Sequence, residues 1–178
     1  MRTKNQYGLI VIVAAVVALS FQPLLEGQKA ATLSHSDSSF MTDAAEGGMN
    51  EVRLGELAQQ KGSSEQVRAF GKRMVEEHSR LNNELQAIAA RKNVSLPSDV
   101  GITQKASDKL LSSKSGHSFD ESYASSMLKD HKEDIEAFEK EANSGVDQDV
   151  KAFAAKSLPT LREHLRMANE MAQAVGAK

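Results

Sequence analysis

The strongest constraint on the fold is an apolar spacing that alternates between four and three residues over positions 64–92. The series runs Val67, Gly71, Met74, His78, Leu81, Leu85 and Ile88. This is the period of an α-helix with one buried stripe, as in the seam of a helical bundle. A single polar residue, His78, interrupts the stripe. The segment therefore predicts a bundle helix that turns one histidine toward its core.

Three other segments have the same periodicity, so the sequence predicts four long helices. Their expected ranges are about 40–61, 64–92, 119–143 and 147–175. Short turns join the first helix to the second and the third to the fourth, which predicts two antiparallel hairpins. Residues 93–118 form a long crossover that contains one short helical segment. The predicted fold class is therefore all-α, a ferritin-like four-helix bundle with one long connection.

The first twenty residues have the composition of a secretory signal peptide. Arg2 and Lys4 precede an apolar run over residues 8–19, and small residues follow, so that cleavage after Ser20 is expected. The run is short for a membrane span, which needs roughly 20 apolar residues. A retained N-terminal membrane anchor is the alternative. The signal predicts a periplasmic or secreted protein with no stable membrane insertion after cleavage.

The rest of the chain divides into a polar, flexible lead-in over residues 21–38 and the helical bundle over residues 39–176. With no cysteine, the chain can form neither a disulfide nor a cysteine-linked lipid anchor. The net charge is −2 and no basic run is present, which argues against nucleic acid as a partner. Protein partners are left open by the sequence, a homo-oligomer included.

Three predicted helices carry the same short motif, an apolar residue, any residue, an acid and then a histidine. The histidines are His78, His131 and His164, and each lies on the inward stripe of its helix. Each is also near the middle of its helix, as is Glu51 in the first one. Because a bundle aligns its helices side by side, these four residues are expected to share one layer. The acid before each histidine points about 100° away, toward a neighbouring helix.

Two interpretations of this layer follow from its chemistry. Three imidazoles and one carboxylate suit a single Zn, Fe, Cu or Ni ion, with His78, His131, His164 and Glu51 as candidate ligands. Alternatively, the histidines form a structural polar layer, or a pH-sensitive one, in a non-enzymatic envelope or stress-related protein. Neither a nucleophile nor a phosphate loop can be identified, so no catalytic residue is assigned and the balance is against an enzyme.

Several segments resemble a known family of bacterial ferritin-like domains of unknown function, often labelled predicted outer-membrane or exported proteins. The similar segments are "FMTDAAEGGMNEVRLGELAQQK", "MVEEHSRLNNEL", "DHKEDIEAFEKEA" and "KSLPTLREHLRMA", within about residues 39–173. The resemblance implies the ferritin-like fold and an exported protein, and it implies no activity.

The sequence departs from ferritin-like di-iron proteins at the positions that matter for iron. Those proteins carry Glu-x-x-His on two helices. Here Val75, Leu128 and Leu161 occupy the positions three residues before the histidines. Too few inward carboxylates remain to bridge two irons, so a mononuclear site or no metal is expected.

Overall fold

The computed structural model describes residues 33–177, which form five α-helices and no strand. The helices are α1 His35–Lys61, α2 Glu65–Lys92, α3 Ile102–Ser112, α4 Gly116–Ser144 and α5 Gln148–Val175. The all-α prediction is confirmed, with four long helices and one short crossover helix. Within the described range, no helix has the length and apolar character needed to cross a membrane. The predicted signal peptide and its anchor alternative lie outside the described residues.

The first helix begins earlier than the sequence predicts. Ser34 is its N-cap and forms a capping box with Asp37, in which each side chain accepts the backbone N–H of the other residue at 3.0 and 3.3 Å. Asp37 is also fully buried. Residues 35–38, predicted as the end of a flexible lead-in, therefore belong to the first turn of α1; residues 21–32 lie outside the described part of the chain.

The long helices form two hairpins that pack against each other. α1 packs mainly on α2, and α4 mainly on α5, while the hairpins meet through α1 with α4 and α2 with α5. Since α2 ends beside the α4–α5 turn, where Lys92 pairs with Asp147 at 2.8 Å, the crossover must run the length of the bundle to reach α4. Along this path α3 packs on α1 and α4.

A buried aspartate in the first helix of each hairpin holds the turn of the other hairpin. Asp120 of α4 accepts hydrogen bonds from Ser63 N at 2.9 Å, Ser63 Oγ at 2.5 Å and Ser64 N at 2.9 Å. Asp37 of α1 accepts hydrogen bonds from Val146 N at 2.9 Å and Asp147 N at 3.1 Å. The contact is reciprocal, as in an interface with two-fold symmetry.

This reciprocity reflects an internal repeat with a constant offset of 83 residues. The bounds of α2, Glu65–Lys92, and of α5, Gln148–Val175, differ by 83 at both ends. Identical residues at this offset are Asp37 and Asp120, Gly62 and Gly145, Val67 and Val150, Phe70 and Phe153, and Ala89 and Ala172. Both second helices also end on a left-handed residue, Asn93 with φ 56° and Gly176 with φ 69°. The bundle is thus built from two equivalent hairpins.

The core consists of two apolar clusters separated by a polar layer. One cluster includes Phe70, Met74, Tyr123, Met127 and Met171, and the other includes Phe40, Leu85, Phe138, Phe153 and Leu161. Each long helix contributes one segment to each cluster, and one buried polar residue lies between these two segments. These residues are Glu51, His78, His131 and His164. The predicted layer is therefore present at mid-bundle.

The close contact of α1 and α2 depends on glycine. A Cβ on Gly71 would lie 2.6 Å from the Gly55 carbonyl oxygen and 2.7 Å from the Ala58 Cβ, so the helices would have to move apart. We expect Gly71→Ala to lower the free energy of unfolding by about 1–3 kcal/mol, measured by urea denaturation. Gly47→Ala is the control, because its Cβ would meet only Asp134 Oδ1 at 3.8 Å. Equal stability of Gly71→Ala and the wild type would contradict this role.

Candidate metal centre

Three histidine rings from three helices meet in the polar layer. His78 of α2, His131 of α4 and His164 of α5 are 3%, 0% and 0% exposed. Their ring centroids are 5.7 Å apart for His78 and His131, 5.2 Å for His78 and His164, and 5.3 Å for His131 and His164. One ring nitrogen from each lies within 4.8 Å of the other two. The sequence-predicted residues are therefore brought together.

Hydrogen bonds set the protonation of two rings. His131 Nδ1 donates to the Met127 carbonyl at 2.9 Å, and His164 Nε2 donates to Glu77 Oε2 at 2.6 Å. In the neutral rings this leaves lone pairs on His131 Nε2 and His164 Nδ1. Both of these buried nitrogens lack a hydrogen-bond partner, and so does His78 Nε2.

This arrangement has the features of a metal site. Metal-binding histidines usually donate their second ring N–H to a carbonyl or carboxylate, as His131 and His164 do. Nitrogens bound to one Zn²⁺ at 2.0–2.1 Å are roughly 3.3 Å apart, so the rings need only a small inward shift from their present spacing. With three nitrogen ligands, one position of a four-coordinate ion stays open.

The acids that precede the histidines have different partners. Glu77 lies on α2 beside His78 and bonds to His164 on α5, as expected for an acid that points to a neighbouring helix. It also pairs with Arg73 at 3.1 Å. Glu163 pairs instead with Arg166 at 2.7 Å. Among the acids of the repeated motif, Glu77 is therefore the one that forms a hydrogen bond with a histidine of a neighbouring helix in the described structure.

Glu51 lies behind His131. It is 2% exposed, and its Oε1 is 3.9 Å from His131 Nδ1, the nitrogen that donates to the Met127 carbonyl. Among the described residues the group of converging ligand atoms contains the three histidines and not Glu51. Glu51 therefore lies next to one candidate ligand, His131, and is not among the converging ligand atoms.

In the internal repeat, the positions equivalent to the three histidines hold other residues. At the 83-residue offset, His78, His131 and His164 correspond to Leu161, Gly48 and Leu81. These three equivalents line a cavity of about 20 Å³, so they too lie near one another. The same architecture thus takes two leucines and a glycine at the three repeat-equivalent positions.

Burial keeps the imidazoles neutral. Burial lowers the pKa of His78 well below its usual value, with further lowering from His131 and His164. Burial and the neighbouring His164 lower the pKa of His131 to about 4. Burial also lowers the pKa of His164, although the Glu77 carboxylate opposes this. The ring nitrogens are therefore in their metal-binding form at neutral pH.

The pKa values of the acids beside the histidine layer are raised, whereas those of the histidines are lowered. Burial raises the pKa of Glu51 well above its usual value, with added repulsion from Asp134 and Asp130. Burial raises the pKa of Asp134 to about 7 and that of Asp130 to about 6. Asp134 lies outside the histidine motif, although it is the repeat equivalent of Glu51 at the 83-residue offset.

The shifted pKa of His131 predicts a pH-dependent stability. Because its folded value of about 4 lies below the unfolded value of about 6.5, its contribution is complete above pH 6.5 and is lost as the pH falls toward 4. Between pH 7.5 and 5, the metal-free wild type should lose about 2 kcal/mol more stability than His131→Leu. Urea denaturation in the presence of a chelator measures this difference.

The comparison with the variant is needed because other groups titrate in the same range. The raised pKa values of Asp130 and Asp134 destabilise the protein as pH rises, which partly hides the histidine effect in the wild-type profile. His117→Leu is the control, because the His117 side chain is 70% exposed. Parallel profiles for the wild type and His131→Leu would contradict the burial of a neutral imidazole.

Two solved structures have a similar fold. A DUF305 fragment from Deinococcus radiodurans matches with a TM-score of 0.69 and 12% identity, over 81% of this chain and 97% of that chain. A DUF305 protein from Streptomyces coelicolor, described as a candidate secreted protein, matches with a TM-score of 0.68 and 15% identity, over 80% and 95%. At these identities the likeness concerns the fold alone.

The sequence comparisons identify a family and no activity. No curated protein matches the chain significantly. The profile of the family DUF4142, a domain of unknown function, matches residues 22–171, which is most of the chain and includes the whole histidine layer. The chain therefore belongs to the DUF4142 family.

Proposed function

We propose that the protein binds one transition-metal ion through His78, His131 and His164 after export to the periplasm. The observation that carries this proposal is the set of three buried ring nitrogens, one per histidine, that lack a hydrogen-bond partner. A buried polar atom without a partner costs about 1–3 kcal/mol. An ion at this position would use all three lone pairs at once.

The donor set narrows the choice of metal. Three neutral imidazoles suit Zn, Cu, Ni or Fe, and they suit Mg²⁺ or Ca²⁺ poorly because those ions prefer oxygen. A di-iron centre lacks support, since Val75, Leu128 and Leu161 stand where bridging glutamates would be needed. The proposed role is the binding of a single metal ion in the cell envelope, and no reaction is assigned.

The alternative is a structural polar layer without metal in an envelope protein. The observation that favours it is that two of the rings already have one hydrogen bond each, to Met127 and Glu77. These bonds leave one buried nitrogen of each ring unpaired, and the repeat-equivalent positions hold two leucines and a glycine instead of histidines. The unpaired nitrogens and the residues at the repeat-equivalent positions both favour the metal site over the structural layer.

Titration calorimetry with Zn²⁺ and Cu²⁺ on the untagged, metal-free protein tests the proposal. We expect one ion per chain in the wild type and no measurable binding at this site in His131→Ala. Glu77→Gln should weaken binding by about 10- to 100-fold, because it removes the carboxylate that orients His164. Glu76→Gln is the matched control, since Glu76 is the adjacent acid and pairs with Lys72 at the surface.

Surface histidines must be excluded as the source of binding. His117→Ala should bind the ion as the wild type does, because His117 is exposed and remote in sequence from the three ligands. Equal and weak binding by the wild type and His131→Ala would overturn the proposal and favour the structural layer.

A further inference from the structure

A cavity lined by acidic side chains lies between α1, α3 and α4, separate from the three converging nitrogens. Its volume is about 260 Å³. Its carboxylates are Asp43, Glu46, Glu51, Asp130, Glu133 and Asp134. Neither lysine nor arginine is among its lining residues in the described part of the chain. The cavity therefore concentrates carboxyl groups at one place on the bundle.

Glu51 distinguishes this cavity from an ordinary acidic surface. It lines the cavity although only 2% of the residue is exposed, and its Oε2 has no hydrogen-bond partner. The side-chain oxygen of Asn50, which lines the same cavity, is also buried and unpaired. Burying a carboxylate without a partner is costly. The protein supplies no partner for these oxygens, and a bound ligand would supply one.

Two nearby basic side chains pair with acids other than Glu51 and Asp134. Arg53 pairs with Asp108 at 3.0 Å, and Lys129 pairs with Glu133 at 3.3 Å on the exposed face of α4. Neither cation reaches Glu51 or Asp134 in an ion pair within the described structure. The inner carboxyls, Glu51 and Asp134, therefore have neither Arg53 nor Lys129 as an ion-pair partner.

We propose that this cavity binds a hydrated divalent cation that prefers oxygen, of the Mg²⁺ or Mn²⁺ class, with Glu51 and Asp134 as its principal ligands. Carboxylate and amide oxygens are the donors such ions prefer. No three carboxylates in the described residues bring ligand oxygens within 4.8 Å of one another. The ion therefore keeps several of its waters, as Mg²⁺ usually does when one or two carboxylates hold it.

The position of the ligands in the repeat adds to this argument. Glu51 and Asp134 are equivalent at the 83-residue offset, one on α1 and one on α4, and the two helices pack together. The Asp134 carboxylate raises the cost of charging Glu51. A divalent cation between α1 and α4 would neutralise both. This second site uses oxygen donors only and does not depend on metal binding by the histidines.

Mn²⁺ binding followed by electron paramagnetic resonance tests the proposal, because the signal of free Mn²⁺ decreases as the ion binds. The background is the full-length His78→Leu/His131→Leu/His164→Leu variant, in which the histidine site is removed. We expect this variant to retain one Mn²⁺ per chain. Adding Glu51→Gln and Asp134→Asn should weaken Mn²⁺ binding at least about tenfold, because both principal carboxylates lose their charge.

A matched control separates a built site from general acidity. Glu76→Gln/Glu136→Gln removes the same charge from exposed positions and should change Mn²⁺ affinity by less than about twofold, since exposed charges are screened. Equal weakening by the two double variants would overturn the proposal. Should Glu51→Gln impair folding in circular dichroism, Asp134→Asn alone replaces the double variant, and it should still weaken Mn²⁺ binding by more than the twofold limit of the control.

The two metal proposals fail in different ways. Loss of Mn²⁺ binding in the triple leucine variant itself would assign the ion to the histidines and overturn the second site alone. Failure of Zn²⁺ and Cu²⁺ to distinguish the wild type from His131→Ala would overturn the histidine site alone.

Discussion

Replacing His78, His131 and His164 together by leucine is expected to stabilise the metal-free protein by roughly 3 kcal/mol at pH 7.5. Each substitution removes a buried ring nitrogen that has no hydrogen-bond partner and supplies an apolar side chain to a site between two apolar clusters. Leucine occupies the repeat-equivalent positions of His164 and His78, which are Leu81 and Leu161, whereas the equivalent of His131 is Gly48. Urea denaturation in the presence of a chelator measures the change.

The direction of this change separates the two interpretations of the layer. A structural layer held by hydrogen bonds would lose stability when its histidines are removed, because the remaining partners would be unpaired. A metal site without its ion gains stability, in the usual trade between function and stability. A loss of stability in the triple variant would therefore contradict the metal site. His117→Leu, at an exposed position, is the control and should change little.

Adding the ion should reverse the order of stability. Zn²⁺ at one thousand times its dissociation constant stabilises a protein with one site by about 4.1 kcal/mol, provided that the unfolded chain does not bind it. The wild type should gain this stabilisation and the triple variant should not.

Asp120→Ala is expected to lower the free energy of unfolding by about 3 kcal/mol. Asp120 is 1% exposed and accepts three hydrogen bonds from the α1–α2 turn, two of them from the backbone N–H groups of Ser63 and Ser64. No other group in the described structure accepts from these two backbone donors. The loss should appear as a lower urea midpoint with an unchanged denaturant slope.

The internal repeat supplies a second variant that tests whether a buried aspartate holds the turn of the other hairpin. Asp37→Ala should also destabilise the protein, because Asp37 holds Val146 N and Asp147 N of the α4–α5 turn in the equivalent way. Glu121→Ala is the control, since Glu121 is adjacent to Asp120 and its side chain is 43% exposed. A loss of less than 1 kcal/mol in Asp120→Ala would show that the turn finds other partners.

The apolar period predicts most of the fold. It indicates the four long helices and the long crossover, because a helix must bury one stripe and short turns force antiparallel neighbours. It misses the start of α1, since the capping box of Ser34 and Asp37 lies among polar residues with no apolar period. Asp37 is buried by the turn of the other hairpin, and that contact cannot be recognised from its own segment.

The internal repeat is present in the sequence and is easy to overlook. The pairs at the 83-residue offset include Phe70 with Phe153 and Val67 with Val150, yet most positions differ. The matching bounds of α2 and α5 make the offset plain. It then identifies Asp134 as the counterpart of Glu51, and it shows that none of the three layer histidines has a histidine as its repeat equivalent.

The sequence by itself determined that three histidines occupy one layer of a bundle, because the helical period and the helix lengths decide both the face and the depth of each residue. Only the tertiary structure decided what the rings do there. Ring rotation depends on side chains from other helices, so Glu77 of α2 sets the free nitrogen of His164 on α5, and Glu51 lies behind His131 instead of among the converging nitrogens. A helix period carries no information about such contacts between helices.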